Sequence, residues 1–350
     1  MRLLAFVVAA GACLTPVVSA QVKVVKSDAE HPATYIIPLR NGERAARGEG
    51  HVSLRIQLPG REPERVLVDT GSVGLILPAD ELGHPKGTPG FIRYSSSGIG
   101  YKGVWAKVRV GFPEAMPGDA HGIAIAGAKP GAIAEVEVFS AKERTCDEGT
   151  AHSNCAEVMK KPIGVHMLGI GFGRAAAFAT PEHNPLLQLA PMVTGAMRRS
   201  YLFRGNKELV SGFMFEAVPE KHCVGQRLKP FDAHTGDWQT PSAKITINGK
   251  SFEGTALVDT GISDMLIAAE GFPSSGLVAK GTTVGIDLLG DKFPEYRLSY
   301  KIGDDDHVPT RTAHWVRLLH GPYINTGYGP LAQFDYFFDG TNGSAGFCQQ

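Results

Sequence analysis

Apolar and polar positions alternate with a period of two early in the chain: Val52, Leu54, Ile56 and Leu58 alternate with Ser53, Arg55 and Gln57 before a Pro59-Gly60 turn. That period predicts a half-buried strand rather than a helix. Shorter signals of the same kind recur at Ala106–Val110, at Leu202 and Phe203, at Phe213–Phe215 and at Tyr336–Phe338. Helical periodicity is scarce. It predicts only short helices over Pro185–Leu189, continuing toward Met197, and over Gly329–Phe334. The expected class is mainly β.

The pattern also repeats. Val66-Leu67-Val68-Asp69-Thr70-Gly71 returns 190 residues later as Ala256-Leu257-Val258-Asp259-Thr260-Gly261. Each copy follows a predicted hairpin, the second carrying the strong turn signal Asn248-Gly249 between Ile245, Ile247 and the next strand. Each is followed by a second apolar run, Leu75-Ile76-Leu77 and Met265-Leu266-Ile267. One Asp-Thr-Gly is an ordinary turn composition. Two copies in matching settings, one lobe's length apart, predict two similar β lobes, spanning residues 21–217 and 218–350.

Composition and charge narrow the setting. The 43 glycines and 23 prolines among 350 residues, with 20% charged, suit many strands joined by tight turns and exclude a disordered or coiled-coil chain. Residues 1–20 read as a secretory signal: Arg2, the apolar stretch Leu3–Ala10, and Val18-Ser19-Ala20 as the cleavage site. A lipoprotein anchor at Cys13 is the weaker reading, because Ala10 stands where leucine is usual. No second apolar stretch could span a bilayer. Without the signal, 34 basic residues face 35 acidic ones, so charge gives no general attraction to nucleic acid. A secreted or periplasmic monomer is expected.

Four cysteines remain in that oxidising setting, Cys146, Cys155, Cys223 and Cys348, and allow three pairings. The pairing Cys146 with Cys155 and Cys223 with Cys348 is favoured, because the first two lie close together in a polar loop.

Two facing carboxyls suit amide hydrolysis without a metal, another cofactor or a covalent nucleophile. Held a few ångströms apart they cannot both ionise cheaply, so one takes a proton from water while the other gives one to the carbonyl oxygen. In this reading Asp69 and Asp259 are the pair. Gly71 and Gly261 let the two backbones approach, and Thr70 and Thr260 brace the loops across the junction.

The stretch Asp69-Thr70-Gly71-Ser72-Val73-Gly74-Leu75-Ile76-Leu77-Pro78 resembles the first catalytic loop of the pepsin-like aspartic peptidases, in the style of their bacterial homologues. Tyr94 to Gly111 resembles that family's flap hairpin, Met167-Leu168-Gly169 the segment crossing beneath the first loop, and Phe338-Asp339 with Gly346-Phe347 its last strands. The resemblance implies a two-lobed double β-barrel with pseudo-twofold symmetry, and an aspartic endopeptidase acting on protein or peptide substrates. It implies Tyr94 as the flap tyrosine, and Ser72 as donor to the outer oxygen of Asp69.

The chain also departs from the family. Ile262 stands where a hydroxyl residue usually follows the second loop's glycine, which leaves Ser263 as the candidate donor to Asp259. Asn325-Thr326-Gly327 replaces the second crossing motif. Ile76 holds the place of a tryptophan, and only 24 residues separate Asp69 from Tyr94. Such drift supports one rival reading, a pepsin-fold binding or inhibitory protein with little or no catalysis. The intact aspartates and threonines favour the enzyme. The 12 histidines form no metalloprotease His-Glu-x-x-His motif, and no serine-hydrolase elbow is present, so no metal is expected. Asp304-Asp305-Asp306-His307 reads as a solvated turn. Trp105 and Phe112 are candidates for core or pocket.

Overall fold

A computed structural model describes residues 32–350 apart from 95, 148–154, 175–178, 218–221, 291 and 304–311. The signal segment, Cys13, the Asp304–His307 turn and the expected lobe junction near residue 218 lie outside the described residues.

The protein is mainly β, with three sheets, two of them mixed and the third antiparallel throughout. One contains, in spatial order, Ser53–Ile56, Glu64–Asp69, Met167–Ile170, Val73–Pro78, Ala132–Cys146, Ile99–Phe112 and Thr88–Arg93. A second, from the later part of the chain, contains Gly276–Leu277, Ala313–Trp315, Met265–Ala268, Tyr323–Asn325, Lys250–Leu257, Ser242–Ile247, Thr283–Asp287 and Leu298–Lys301. The third draws on both ends of the chain, joining Thr34–Pro38 through Glu208–Ser211 and Ser200–Arg204 to Phe334–Asp339 and Ser344–Gln349.

Burial explains the sequence pattern. In Ala132–Cys146, Ala132, Ala134, Val136 and Val138 point inward while Ile133, Glu135 and Glu137 face solvent, as period-two alternation requires of a strand with one wet face. Val73–Pro78 and Met265–Ala268 are instead buried at every residue. They are central strands covered on both faces, which is why they read as unbroken apolar runs.

The sequence repeat is also a repeat of topology. Glu64–Asp69 pairs parallel with Met167–Ile170, which pairs antiparallel with Val73–Pro78. In the second sheet Lys250–Leu257 pairs parallel with Tyr323–Asn325, which pairs antiparallel with Met265–Ala268. In both, the strand entering the Asp-Thr-Gly loop and the strand leaving it are held apart by a third strand that arrives much later in the chain.

Three local expectations need correction. Phe213–Phe215 is not a strand. The chain leaves the sheet at Gly212 (φ 88°), and Phe215–Ala217 form a single 3-10 turn in which Phe215 stacks on Phe337. Aromatic residues packed on a core mimic a strand's alternation without its hydrogen bonds. The helix expected from Pro185 to Met197 is divided into a 3-10 turn, Pro185–Leu187, and a short helix, Ala190–Val193, each with a proline in its first turn. The expected helix over Gly329–Phe334 is a 3-10 turn, Gly329–Ala332.

Both favoured disulfides form. Cys146–Cys155 closes the end of the long hairpin, and Cys223–Cys348 links residues directly opposite on neighbouring strands. Among the described residues no helix is long and apolar enough to cross a membrane. Trp105 and Phe112 are core: Trp105 packs edge-on against Phe139, and Phe112 is fully buried.

Candidate active site

The two Asp-Thr-Gly loops meet at a junction between the first two sheets. The Thr70 N–H donates to Thr260 Oγ1 at 3.0 Å, and the Thr260 N–H donates to Thr70 Oγ1 at 3.0 Å. Each hydroxyl then donates across the junction to a backbone carbonyl of the opposite strand, Thr70 to Val258 and Thr260 to Val68, both at 2.7 Å. All four bonds are buried, where an unmet donor or acceptor is costly. Each loop therefore depends on the other for its hydrogen bonds.

That lock brings the carboxyls together. A Cβ built on Gly71 would lie 2.4 Å from the Asp259 carboxyl carbon, and one built on Gly261 would lie 2.6 Å from that of Asp69. Only glycine fits at either position. Asp69 and Asp259 are 4% and 7% exposed, and their carboxyls are within hydrogen-bonding reach of each other. One oxygen of each accepts from its own loop: Gly71 N–H to Asp69 Oδ1 at 2.7 Å, and Gly261 N–H to Asp259 Oδ1 at 2.8 Å.

The second oxygens are served differently. Ser72 Oγ donates to Asp69 Oδ2 at 2.6 Å, as expected. The donor to Asp259 Oδ2 is the Asn325 side-chain amide, at 2.6 Å. Ser263 was the expected substitute, and it makes no hydrogen bond to Asp259; Asn325 already occupies that oxygen from the crossing strand. The orientation of Asn325 is fixed, because its Oδ1 accepts from the Gly327 N–H at 3.0 Å and so turns the NH2 toward the carboxyl. The signal was present in the sequence, as a buried-position asparagine in the motif that should be apolar.

Burial pushes the Asp259 carboxyl well above the ordinary carboxylate range, and the charge of Asp69 adds to the effect; the donors Asn325 and Gly261 oppose it.

Other groups surround the pair. Tyr94 opens the turn between Thr88–Arg93 and Ile99–Phe112, its N–H donating to the Ile99 carbonyl at 2.9 Å. Its phenol is held well above its usual range by burial and by the nearby charge of Asp69, partly offset by the Ser72 hydroxyl. Three neighbours had no motif to announce them. Arg174 Nε donates to the Gly71 carbonyl at 2.8 Å. His51 is exposed as a residue, yet loss of solvent around its imidazole lowers it, opposed by the charge of Asp259. Burial also pushes Tyr323 up to about 12, with Arg174 opposing and Asp259 adding.

No family model matches the chain, and no curated protein matches it. Among solved structures it is similar to an aspartic proteinase from Irpex lacteus, at 13% identity and a TM-score of 0.49, over 91% of this chain and 98% of the other.

Proposed function

We propose that the protein is an aspartic endopeptidase in which Asp69 and Asp259 share one proton and activate one water molecule. The observation that carries this is the reciprocal threonine lock, which holds two buried carboxyls in contact. A binding protein has no use for that arrangement, since burying two like charges side by side costs stability. The pair is chemically useful only where one member is protonated and the other is not.

In the working state Asp69 is the carboxylate and Asp259 the acid. Water held between them loses a proton to Asp69 as its oxygen attacks the substrate carbonyl carbon, and Asp259 gives its proton to the carbonyl oxygen. The product of that step is a tetrahedral diol, with Asp69 protonated and Asp259 ionised. Return of a proton from Asp69 to the amide nitrogen lets the C–N bond break. Meanwhile Asp259 recovers a proton from the diol, which collapses to the carboxylic acid. The pair ends as it began, without metal or covalent intermediate.

On this reading Tyr94 closes over the bound peptide, and the two lobes, residues 21–217 and 218–350, each contribute one carboxyl. The substrate is a protein or peptide, and the enzyme works as an exported monomer. The two disulfides support an oxidising destination. A denatured protein incubated with the enzyme between pH 3 and 6 should be cleaved, and a transition-state-type aspartic peptidase inhibitor should stop the cleavage. Cleavage that resists the inhibitor, or no cleavage across that range, would overturn the proposal.

A further inference from the structure

At the far end of the first sheet three metal-ligating side chains converge. Glu64 begins the strand that ends at Asp69, Glu81 follows the strand Val73–Pro78, and His166 immediately precedes Met167–Ile170. One ligand atom from each lies within 4.8 Å of the others, and all three side chains are partly buried. His166 Nε2 is 2.9 Å from a Glu81 carboxylate oxygen and 3.8 Å from Glu64 Oε2. Those distances bracket the roughly 3.4 Å between ligands of a tetrahedral zinc ion with bonds of about 2.0–2.1 Å.

Two further details point to a bound cation. His166 Nδ1 lies 3.3 Å from the Gly164 carbonyl. A proton on Nδ1 makes that contact a hydrogen bond and turns the Nε2 lone pair to the carboxylates, as in metal-bound histidines held by a backbone carbonyl. Glu64 Oε1 is fully buried and has no hydrogen-bond partner. Arg61 does not fill the gap. Its Nη1 donates to the Glu81 backbone carbonyl at 2.6 Å, and its Nη2 reaches only Glu81 Oε2, at 3.7 Å.

We propose that Glu64, Glu81 and His166 bind one divalent transition-metal ion of the zinc class, with water in the fourth position. One imidazole and two carboxylates suit such an ion better than calcium or magnesium, which prefer all-oxygen shells. The ion fastens together the three strands that carry and flank the first Asp-Thr-Gly loop. Glu64 lies five residues from Asp69, about 16 Å along the strand, so the ion is structural and takes no part at the carboxyl pair.

Zinc added to the metal-stripped full chain at pH 7.5 should bind one to one by titration calorimetry. It should raise Tm by about 2–4 °C at a concentration roughly tenfold above its Kd. Glu64→Gln and Glu81→Gln should each lose the calorimetric signal and the shift, while matching the stripped wild type in Tm. Zinc-edge absorption of the loaded wild type, which needs no variant, should show a light-atom shell with one imidazole. No uptake by the wild type overturns the proposal. So does uptake unchanged in a folded variant, or a shell with sulfur or several imidazoles. A Tm that responds to pH but not to zinc would assign the cluster to a protonated His166 and equally overturn it.

Discussion

The two Asp-Thr-Gly loops share one lock but solve one problem differently. In the first, the donor to the outer carboxylate oxygen comes from the loop itself, Ser72, with Met167 of the crossing strand behind it at 3.7 Å. In the second the loop offers Ile262, and the donor comes from the crossing strand, Asn325. Counted from the aspartates, Asn325 stands where Met167 stands, just as Ile262 stands where Ser72 does. A polar and an apolar residue have exchanged places between two neighbouring strands. What the site requires is a donor at a point in space, and either strand can supply it.

The exchange has a consequence. The Ser72 hydroxyl is partly exposed and lies beside Tyr94, so the first loop's donor touches the turn that follows Thr88–Arg93. The Asn325 amide is 3% exposed and tied to the backbone of Gly327, so the second is fixed and shielded from water. A hydrogen bond to a charged group is strongest where water is excluded.

The part common to both halves should cost most to break. Thr70→Val and Thr260→Val each remove two buried bonds and orphan a backbone carbonyl, so each should destabilise by about 2–4 kcal/mol, and by similar amounts. Urea unfolding of the two variants checks this. A marked inequality would mean that the lock is not reciprocal in energy.

The donors should separate the halves. Asn325→Leu removes a charge-assisted bond that lowers the Asp259 carboxyl, so the basic limb of the pH-rate profile should move up by roughly 1–2 pH units. Pairing Ile262→Ser with Asn325→Met copies the first half's arrangement into the second and should return the limb toward its wild-type position. Ile262→Thr alone should leave the limb in place, because Asn325 already occupies the oxygen a new hydroxyl would serve. A downward shift in that single variant would show the Asn325 bond to be incomplete.

A smaller effect concerns stability. The Asp259 carboxyl is raised on folding, so its contribution favours the folded state fully only below the unfolded value, near pH 4, and is lost as pH rises toward the folded value. Asp259→Asn removes this dependence. The variant should be more stable than the wild type at pH 7, by on the order of 1–3 kcal/mol, with the difference shrinking toward pH 4. Thermal unfolding at both values would reveal a constant offset if the group is not raised.

Much of this was legible in the chain because the signals were periodic or repeated. Alternation marked Ser53–Ile56 and Ser242–Ile247, and the doubled Asp-Thr-Gly marked both carboxyls, both threonines and both glycines. Asn325 was visible as an oddity but not as a donor. Its role depends on the register Leu257↔Asn325, a pairing of residues 68 apart that no local pattern encodes. Arg174, His51 and the Glu64, Glu81, His166 cluster were hidden for the same reason: sheet pairing, not sequence proximity, gathers them. Phe213–Phe215 failed in the opposite direction, because side-chain burial alone cannot distinguish a strand from a turn lying on the core.

The central claim is that one proton shared by Asp69 and Asp259 carries the chemistry. The direct measurement is the initial rate of cleavage of a denatured protein at pH 3 to 6 by the wild type, Asp69→Asn and Asp259→Asn, with folding verified by circular dichroism. Each substitution removes an obligatory proton carrier, and each should lower the rate by at least about a thousandfold in a folded protein. A loss of only a few fold in either folded variant would contradict the account.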